Sequence, residues 1–151
     1  MNDYVLYQLS PGDLDRFQHL MTMFGDAFGE PNTYTGARPG GDYVRRLLGS
    51  DTFIALAAVA GEEIVGGLAA YELPKFEQER SEIYIYDLAV AESHRRRGIA
   101  TALIEKLAGI AVERGAWVIF VQADEGDEVP IALYSKLGER ENVLHFDIAV
   151  K

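Results

Sequence analysis

Four places in this chain carry residues whose types and spacing could do chemistry. The segment Arg95-Arg96-Arg97-Gly98-Ile99-Ala100-Thr101 sets consecutive guanidiniums before a glycine and a small residue. If it opens a helix, the unpaired first-turn amides and the positive end of the helix dipole form a seat for phosphate oxygens, and the arginines add charge for them. A solvated basic turn before an ordinary amphipathic helix would use the same residues. Asp87 interrupts an otherwise apolar strand-like run. An ionised group there is costly without a partner; a cationic ligand would supply one, and a carboxyl kept above its usual range would suit a general base. Asp124, Glu125, Asp127 and Glu128 form an acidic loop at the end of another such run, within reach of a cationic substrate if they do more than face solvent. His145 and Asp147 share the polar face of the last alternating segment, and line either a cleft or the surface.

Composition narrows the chemistry. The chain has 151 residues, enough for one domain over 1–151, and its 48% apolar content supports a sizeable core. Against 14 basic side chains stand 24 acidic ones, for a net charge of −10. That balance argues against nucleic acid, which is bound by neutralising phosphates, and favours cationic partners drawn in by a negative field. The absence of cysteine removes disulfides, thiolate metal sites and a cysteine nucleophile. His19, His94 and His145 show no ligand spacing, so no metal is expected. The longest apolar run, Phe53 to Ala60, falls well short of the ~20 residues of a spanning helix. Met1-Asn2-Asp3-Tyr4 lacks the basic start of a signal peptide. A cytoplasmic protein without a membrane partner is the expectation.

The elements that must position these groups follow from periodicity. Val5 to Leu9 reads as a strand, and Ser10-Pro11-Gly12-Asp13 as a turn with capping side chains. Leu14, Phe17, Met21, Phe24 and Phe28 form the apolar stripe of a helix; Asn32 to Gly41 reads as a loop and Asp42 to Leu48 as a second helix. Thr52–Ala60 and Ile64–Tyr71, around Gly61-Glu62-Glu63, predict a hairpin. Glu82 to Val90 has apolar residues at both parities, as a strand covered on both faces does. A helix is predicted over 98–113, with Ile99, Leu103, Leu107 and Ile110 inward, then a strand over 117–123 and a helix over 131–137 between Pro130 and Gly138. Val143 to Val150 alternates as a final strand, with Leu144, Phe146, Ile148 and Val150 on one face. The order β-α-α-β-β-β-α-β-α-β is that of an α/β (α+β) domain, a mixed sheet flanked by helices.

In that context, Arg95-x-x-Gly98-x-Ala100 and, further on, Ala132-Leu-Tyr-Ser-Lys-Leu-Gly138 resemble the pyrophosphate and second motifs of the GNAT superfamily of N-acetyltransferases. Thr52-Phe-Ile-Ala-Leu-Ala-Ala58, Leu73-Pro-Lys-Phe-Glu-Gln78, Arg80-Ser-Glu-Ile-Tyr-Ile-Tyr-Asp-Leu-Ala-Val90, Val121-Gln-Ala-Asp124 and Leu144-His-Phe-Asp-Ile148 resemble the type I aminoglycoside 3-N-acetyltransferases. The first fifty residues match these more loosely, through Met23-Phe-Gly25, Phe28-Gly29 and Thr33-Tyr34.

The resemblance implies a GNAT fold with a mostly antiparallel sheet, acetyl-CoA as cosubstrate, a small polycationic amine as acceptor, a homodimer, and direct attack without a covalent enzyme intermediate. Within it, Arg95 through Thr101 hold the cofactor, while Leu88, Ala89 and Val90 pair with its pantetheine and a backbone amide near Val90 receives the oxyanion. Tyr134 matches the tyrosine that protonates the leaving thiolate, and Asp87 handles the amine proton. Asp127 falls where many members carry an asparagine, which leaves it facing either cofactor or amine. Asp124, Glu125, Glu128, His145, Asp147 and Tyr84 fall to the substrate side; Glu30, Tyr34 and Asp26 are weaker candidates near the entrance, and Glu82 or Tyr84 could orient a water. Acetylation at the 3-amino group comes from the resemblance alone. The competing readings are another amine (polyamine, amino acid or protein) and a non-catalytic CoA-binding module.

Overall fold

The two apolar runs around Gly61 close on each other as β2 (Phe53–Ala60) and β3 (Glu63–Pro74), paired antiparallel from Phe53↔Tyr71 to Ala60↔Glu63. β1 (Val5–Gln8) pairs with the outer edge of β2, β4 (Ser81–Val90) lies antiparallel to β3, and β5 (Ala116–Val121) runs parallel to β4. The result is a five-stranded mixed sheet in the order β1-β2-β3-β4-β5. This computed structural model describes residues 3–151; Met1 and Asn2, read above as part of a start without a leader, lie outside the described residues.

The helices cover both faces. α1 (Leu14–Phe28) brings Phe17, Leu20, Met23 and Phe24 onto one face, joined by Val44 and Leu48 of α3 (Gly41–Leu48). α4 (Ile99–Arg114) brings Ile99, Leu103, Leu107 and Ala111 onto the other. Side chains of β2 serve both clusters, so that strand is buried along nearly its whole length. Gly66 and Gly67 of β3 let both helices come this close. A Cβ at Gly66 would sit 2.8 Å from Ile99 Cγ2, and one at Gly67 would overlap Leu20 Cδ1. Gly66 thus sets the height at which the start of α4 rests on the sheet, and Gly67 the height of α1 on the other face.

Four expectations change. The loop expected over 32–41 contains a short helix, α2 (Pro31–Thr35), because Pro31 takes a first helical position where its missing amide costs nothing. Asp13 does not cap α1; its carboxylate accepts from the Ser10 amide at 2.8 Å and hydroxyl at 3.0 Å. The strand expected over 143–150 is absent from the sheet: residues 139–151 are exposed and unassigned to any element. Alternation marks two faces, but a strand forms only against a pairing edge, and this segment pairs with none among the described residues. The last helix, α5 (Glu128–Leu137), begins three residues earlier than 131.

Candidate active site

The site starts where β4 and β5 part. Their register runs from Ser81↔Ala116 to Ile85↔Val121 and ends there, because β5 stops at Val121 while β4 continues to Val90 against β3 only. A fork opens beyond Ile85. The Ala91 amide donates to the Val65 carbonyl at 2.8 Å, which makes Val90 and Gly66 opposite residues that do not bond each other. By alternation, Leu88 and Val90 turn their amides and carbonyls into the fork, and Ala89 turns its own toward β3. Arg95 Nε–H reaches the Val90 carbonyl from the open side, at 3.2 Å. The expected strip Leu88-Ala89-Val90 is therefore an open strand edge, with Leu88 and Val90 as the residues that can pair.

The end of that strip feeds the anion seat. A 3-10 turn (Glu92–His94) leads to Arg96 at φ 64 and Gly98 at φ 77, both left-handed, and α4 begins at Ile99. Left-handed residues beside a helix start aim successive amides at one point. Among the described residues, the amides of 96–101 donate to no protein group; the first bond of the helix is Ala102 N–H to the Gly98 carbonyl at 3.0 Å. Nothing lies within 4 Å of a Cβ built at Gly98, so glycine is required there for its backbone angle and not for space. Arg95, Arg96 and Arg97 are exposed around the seat, with Arg97 3.7 Å from Asp3 in a surface pair of small energetic weight. Open amides, positive dipole and guanidiniums fit a diphosphate.

On the other side of the fork a β-bulge places the acid. β3–β4 pairing jumps from Ala70↔Ile85 to Ala69↔Asp87, so Tyr86 is an extra residue. The bulge reverses parity: Ile83, Ile85, Leu88 and Val90 all pack toward α4, and Ala89 packs toward α1. This, and not simple two-faced burial, explains the apolar residues at both parities. Tyr86 and Asp87 consequently emerge together on the α1 face. Asp87 is half-buried, and Tyr34 O–H donates to its Oδ2 at 2.9 Å. Burial pushes the Asp87 carboxyl up; the Tyr34 hydrogen bond works against that and the Glu30 charge adds to it. Burial and the Asp87 contact push the Tyr34 hydroxyl well up in turn, so it remains a donor.

Tyr34 reaches Asp87 because α2 tucks against α1. A Cβ at Gly25 would stand 3.0 Å from Pro31 Cα and 3.5 Å from Tyr34 Cβ. Phe24 and Phe28 hold the Tyr34 ring at centroid distances of 5.8 and 5.7 Å. Tyr71 and Tyr84 flank Tyr86 edge-on, and Tyr84 stacks on Phe120 at 4.7 Å while its hydroxyl donates to Gln122 Oε1 at 2.8 Å. Burial raises the hydroxyls of Tyr71 and Tyr84, with the Asp87 charge a lesser cause in each. An aromatic wall thus stands beside one half-buried carboxylate. Glu82, considered above for orienting a water, is partly buried and has Lys75 Nζ 3.3 Å from its Oε1.

Tyr134, on α5, is half-buried, and its hydroxyl is raised by burial and secondarily by the Asp127 charge. Asp124, Glu125, Asp127 and Glu128 are all exposed. Gln122, Ala123, Asp124 and Glu125 line a cleft of about 320 Å³ with Val143 and His145. His145 Nε2 is 2.9 Å from Asp147 Oδ1, so these two expected substrate residues face each other, both exposed on the unpaired tail. A larger depression of about 450 Å³ between the start of α1 and the β2–β3 turn contains none of the expected site residues. Among the described residues no group of acidic or histidine side chains has metal-holding geometry, and no helix is long and apolar enough to cross a membrane.

The sequence model of the GNAT acetyltransferase family matches residues 17–138, which contain the fork, the anion seat and Tyr134. This chain belongs to the GNAT acetyltransferase family. A crystal structure of an aminoglycoside acetyltransferase from an uncultured soil metagenomic sample is 65% identical to this GNAT chain, with a TM-score of 0.97 over 100% of both chains. A second soil metagenomic aminoglycoside acetyltransferase, solved in complex with sisomicin, is 30% identical, with a TM-score of 0.91 over 99% of this chain and 98% of its own. N-acetyltransferase 8B of Rattus norvegicus is 26% identical over 59% of this chain, a match that spans 40% of the rat protein. Among the residues sequence reasoning underrated, Tyr34 had only a loose family signal, and Tyr86, inside the quoted Arg80–Val90 stretch, was not singled out because the bulge that sets it beside Asp87 leaves no mark in composition.

Proposed function

We propose that this chain transfers the acetyl group of acetyl-CoA to the 3-amino group of an aminoglycoside, as one cytoplasmic domain over 1–151 working as a homodimer. The observation that carries the reading is the half-buried Asp87 at the fork, with an anion seat at one end and an acidic loop at the other. The likeness to aminoglycoside acetyltransferases over nearly the whole chain, one of them solved with sisomicin, supports the substrate class.

Bound acetyl-CoA supplies an activated thioester. The amides of 96–101 and the arginines Arg95 to Arg97 hold its diphosphate, and the open edge at Leu88 and Val90 aligns the pantetheine arm as an added strand. The Val90 amide, pointing into the fork, donates to the carbonyl oxygen as negative charge develops there. Asp87, raised by burial, takes a proton from the substrate ammonium as nitrogen attacks. Tyr134, held protonated by burial and by Asp127, gives its proton to the departing sulfur. Asp124, Glu125, Glu128, Tyr84, His145 and Asp147 surround the remaining ammonium groups. The product has lost one positive charge and a donor set, which weakens binding to polyanionic RNA, so drug resistance follows.

The test is thiol release from acetyl-CoA with gentamicin, kanamycin, spermidine and a lysine peptide. Turnover on the aminoglycosides supports the proposal; turnover on spermidine or peptide alone keeps the fork and replaces the substrate. Cofactor binding without thiol release on any amine would reduce the chain to a binding module.

A further inference from the structure

Tyr34 reaches Asp87 from a helix too short to hold its own place. α2 has five residues, well below the ~12–15 at which an isolated helix is even marginal. Attachments to α1 hold it at both ends. On the way in, the Glu30 amide donates to the Gly25 carbonyl at 2.9 Å. On the way out, Arg38 turns back to α1. Its Nη1–H donates to the Gln18 carbonyl at 3.1 Å and to Gln18 Oε1 at 2.6 Å, and its Nη2–H to Thr22 Oγ1 at 2.7 Å. The Thr22 hydroxyl donates in turn to the same Gln18 carbonyl at 3.2 Å, which closes the set. Gln18 and Thr22 stand one helical turn apart, a span that the planar fork of arginine covers and a single ammonium does not. All three acceptors are neutral, and among the described residues Arg38 pairs with no carboxylate, although acidic side chains outnumber basic ones 24 to 14. Residues 37–39 make no other hydrogen bond among the described residues.

We propose that Arg38 is a positioning residue for the base: by clasping Gln18 and Thr22 it fixes the exit of α2 and so holds the Tyr34 hydroxyl on Asp87. This rests on the functional reading above only in taking Asp87 as the base. The groups that face the Asp87 carboxyl are the Tyr34 hydroxyl and the Glu30 carboxylate from the α2 side, Tyr71 from β3, and Tyr84 with the adjoining Tyr86 from β4. Arg38 is not one of them, so its effect on the carboxyl passes through Tyr34. When the clasp opens, α2 keeps its entry bond and its packing on Phe24 and Phe28 but loses its fixed exit. The Tyr34–Asp87 bond is then made for only part of the time, and the carboxyl rises toward the value that burial and the Glu30 charge impose.

Two readouts test the clasp, and only one of them needs turnover. The first is the titration of the Asp87 carboxyl by carbon-13 NMR in the resting enzyme, its signal assigned by its loss in Asp87→Asn. The second is the acidic limb of kcat/KM with gentamicin. In Arg38→Met both should rise by roughly half a pH unit, part of what complete loss of the Tyr34 bond gives. Combined with Tyr34→Phe, the same substitution should move neither any further. Arg38→Lys keeps the charge without the fork and should behave as Arg38→Met does. Thr22→Val cuts the clasp from α1 and should shift both readouts in the same direction. Arg38 and Thr22 are exposed, so these variants should retain the far-UV circular dichroism of the wild type. An unmoved carboxyl in Arg38→Met overturns the proposal, and so does an equal rise when Tyr34→Phe is already present, because Arg38 would then act on Asp87 directly. Wild-type titration in Arg38→Lys would put a charge where the proposal requires a fork and would also overturn it. A carboxyl that rises while the limb of kcat/KM stays in place would keep the clasp and remove Asp87 as the base, so the functional reading would fail alone.

Discussion

Replacing Tyr34 with phenylalanine removes one oxygen and should move the pH dependence of the reaction. Tyr34 O–H donates to Asp87 Oδ2 at 2.9 Å, and this bond holds the Asp87 carboxyl down against burial and the Glu30 charge. A hydrogen bond to a charged group contributes about 1.5–3 kcal/mol, and one pKa unit corresponds to about 1.36 kcal/mol. Because both side chains are only half-buried, the lower end applies, and the carboxyl should rise by roughly one pH unit. The base works only when ionised, so the acidic limb of kcat/KM should shift to higher pH by that amount while the plateau changes little. The assay is thiol release with gentamicin across the acidic and neutral range, for wild type and Tyr34→Phe. A limb that stays in place, moves down, or falls by the same factor at every pH would refute the role given to this hydrogen bond.

Asp87→Asn should lower kcat about 10²–10⁴-fold, the range of a general base, with acetyl-CoA affinity by calorimetry within error of wild type. The same variant should melt higher than wild type at neutral pH. The Asp87 carboxyl is raised in the folded state, so the cost of ionising it is absent below the ordinary carboxylate range and fully present above the raised value; the gain in melting temperature should vanish as pH falls through that window. Tyr134→Phe should lower kcat without weakening cofactor binding, and an unchanged rate would leave protonation of the sulfur to another group. Gly67→Ala should destabilise the fold by about 1–3 kcal/mol in urea titration, because its Cβ overlaps Leu20 in a filled core. Added salt should reduce kcat/KM for a polycationic amine more steeply than for acetyl-CoA, since the net charge of −10 steers only the amine.

What the sequence made legible was whatever repeats locally. The inward Ile99-Leu103-Leu107 row of α4 and the hairpin around Gly61 are fixed by residues four or two apart, and each formed where periodicity placed it; the α1 helix formed too, but its buried face is Phe17, Leu20, Met23 and Phe24, with Leu14 and Met21 only partly buried and Phe28 exposed. The glycine turn into α4 was legible for a similar reason: Gly98, after three basic residues, falls at the helix start where the sequence placed it. Features set by distant contacts were not. The bulge at Tyr86 depends on how β4 meets Ala69 and Ala70 of β3, so two aromatic neighbours of Asp87 were undervalued or missed. Tyr34 is carried to Asp87 by the close approach of α2 to Gly25, 53 positions from its partner in the chain. The tail alternates as a strand should, but sequence does not say which edge it meets.

The most direct test of the central claim is two-dimensional NMR of the product formed from gentamicin and acetyl-CoA. The account predicts a single new acetyl group and a large downfield shift confined to the methine proton at carbon 3 of the deoxystreptamine ring. A shift at another amine-bearing carbon would keep the acetyl transfer and contradict the regiochemistry, and unmodified gentamicin after prolonged incubation would contradict the claim itself.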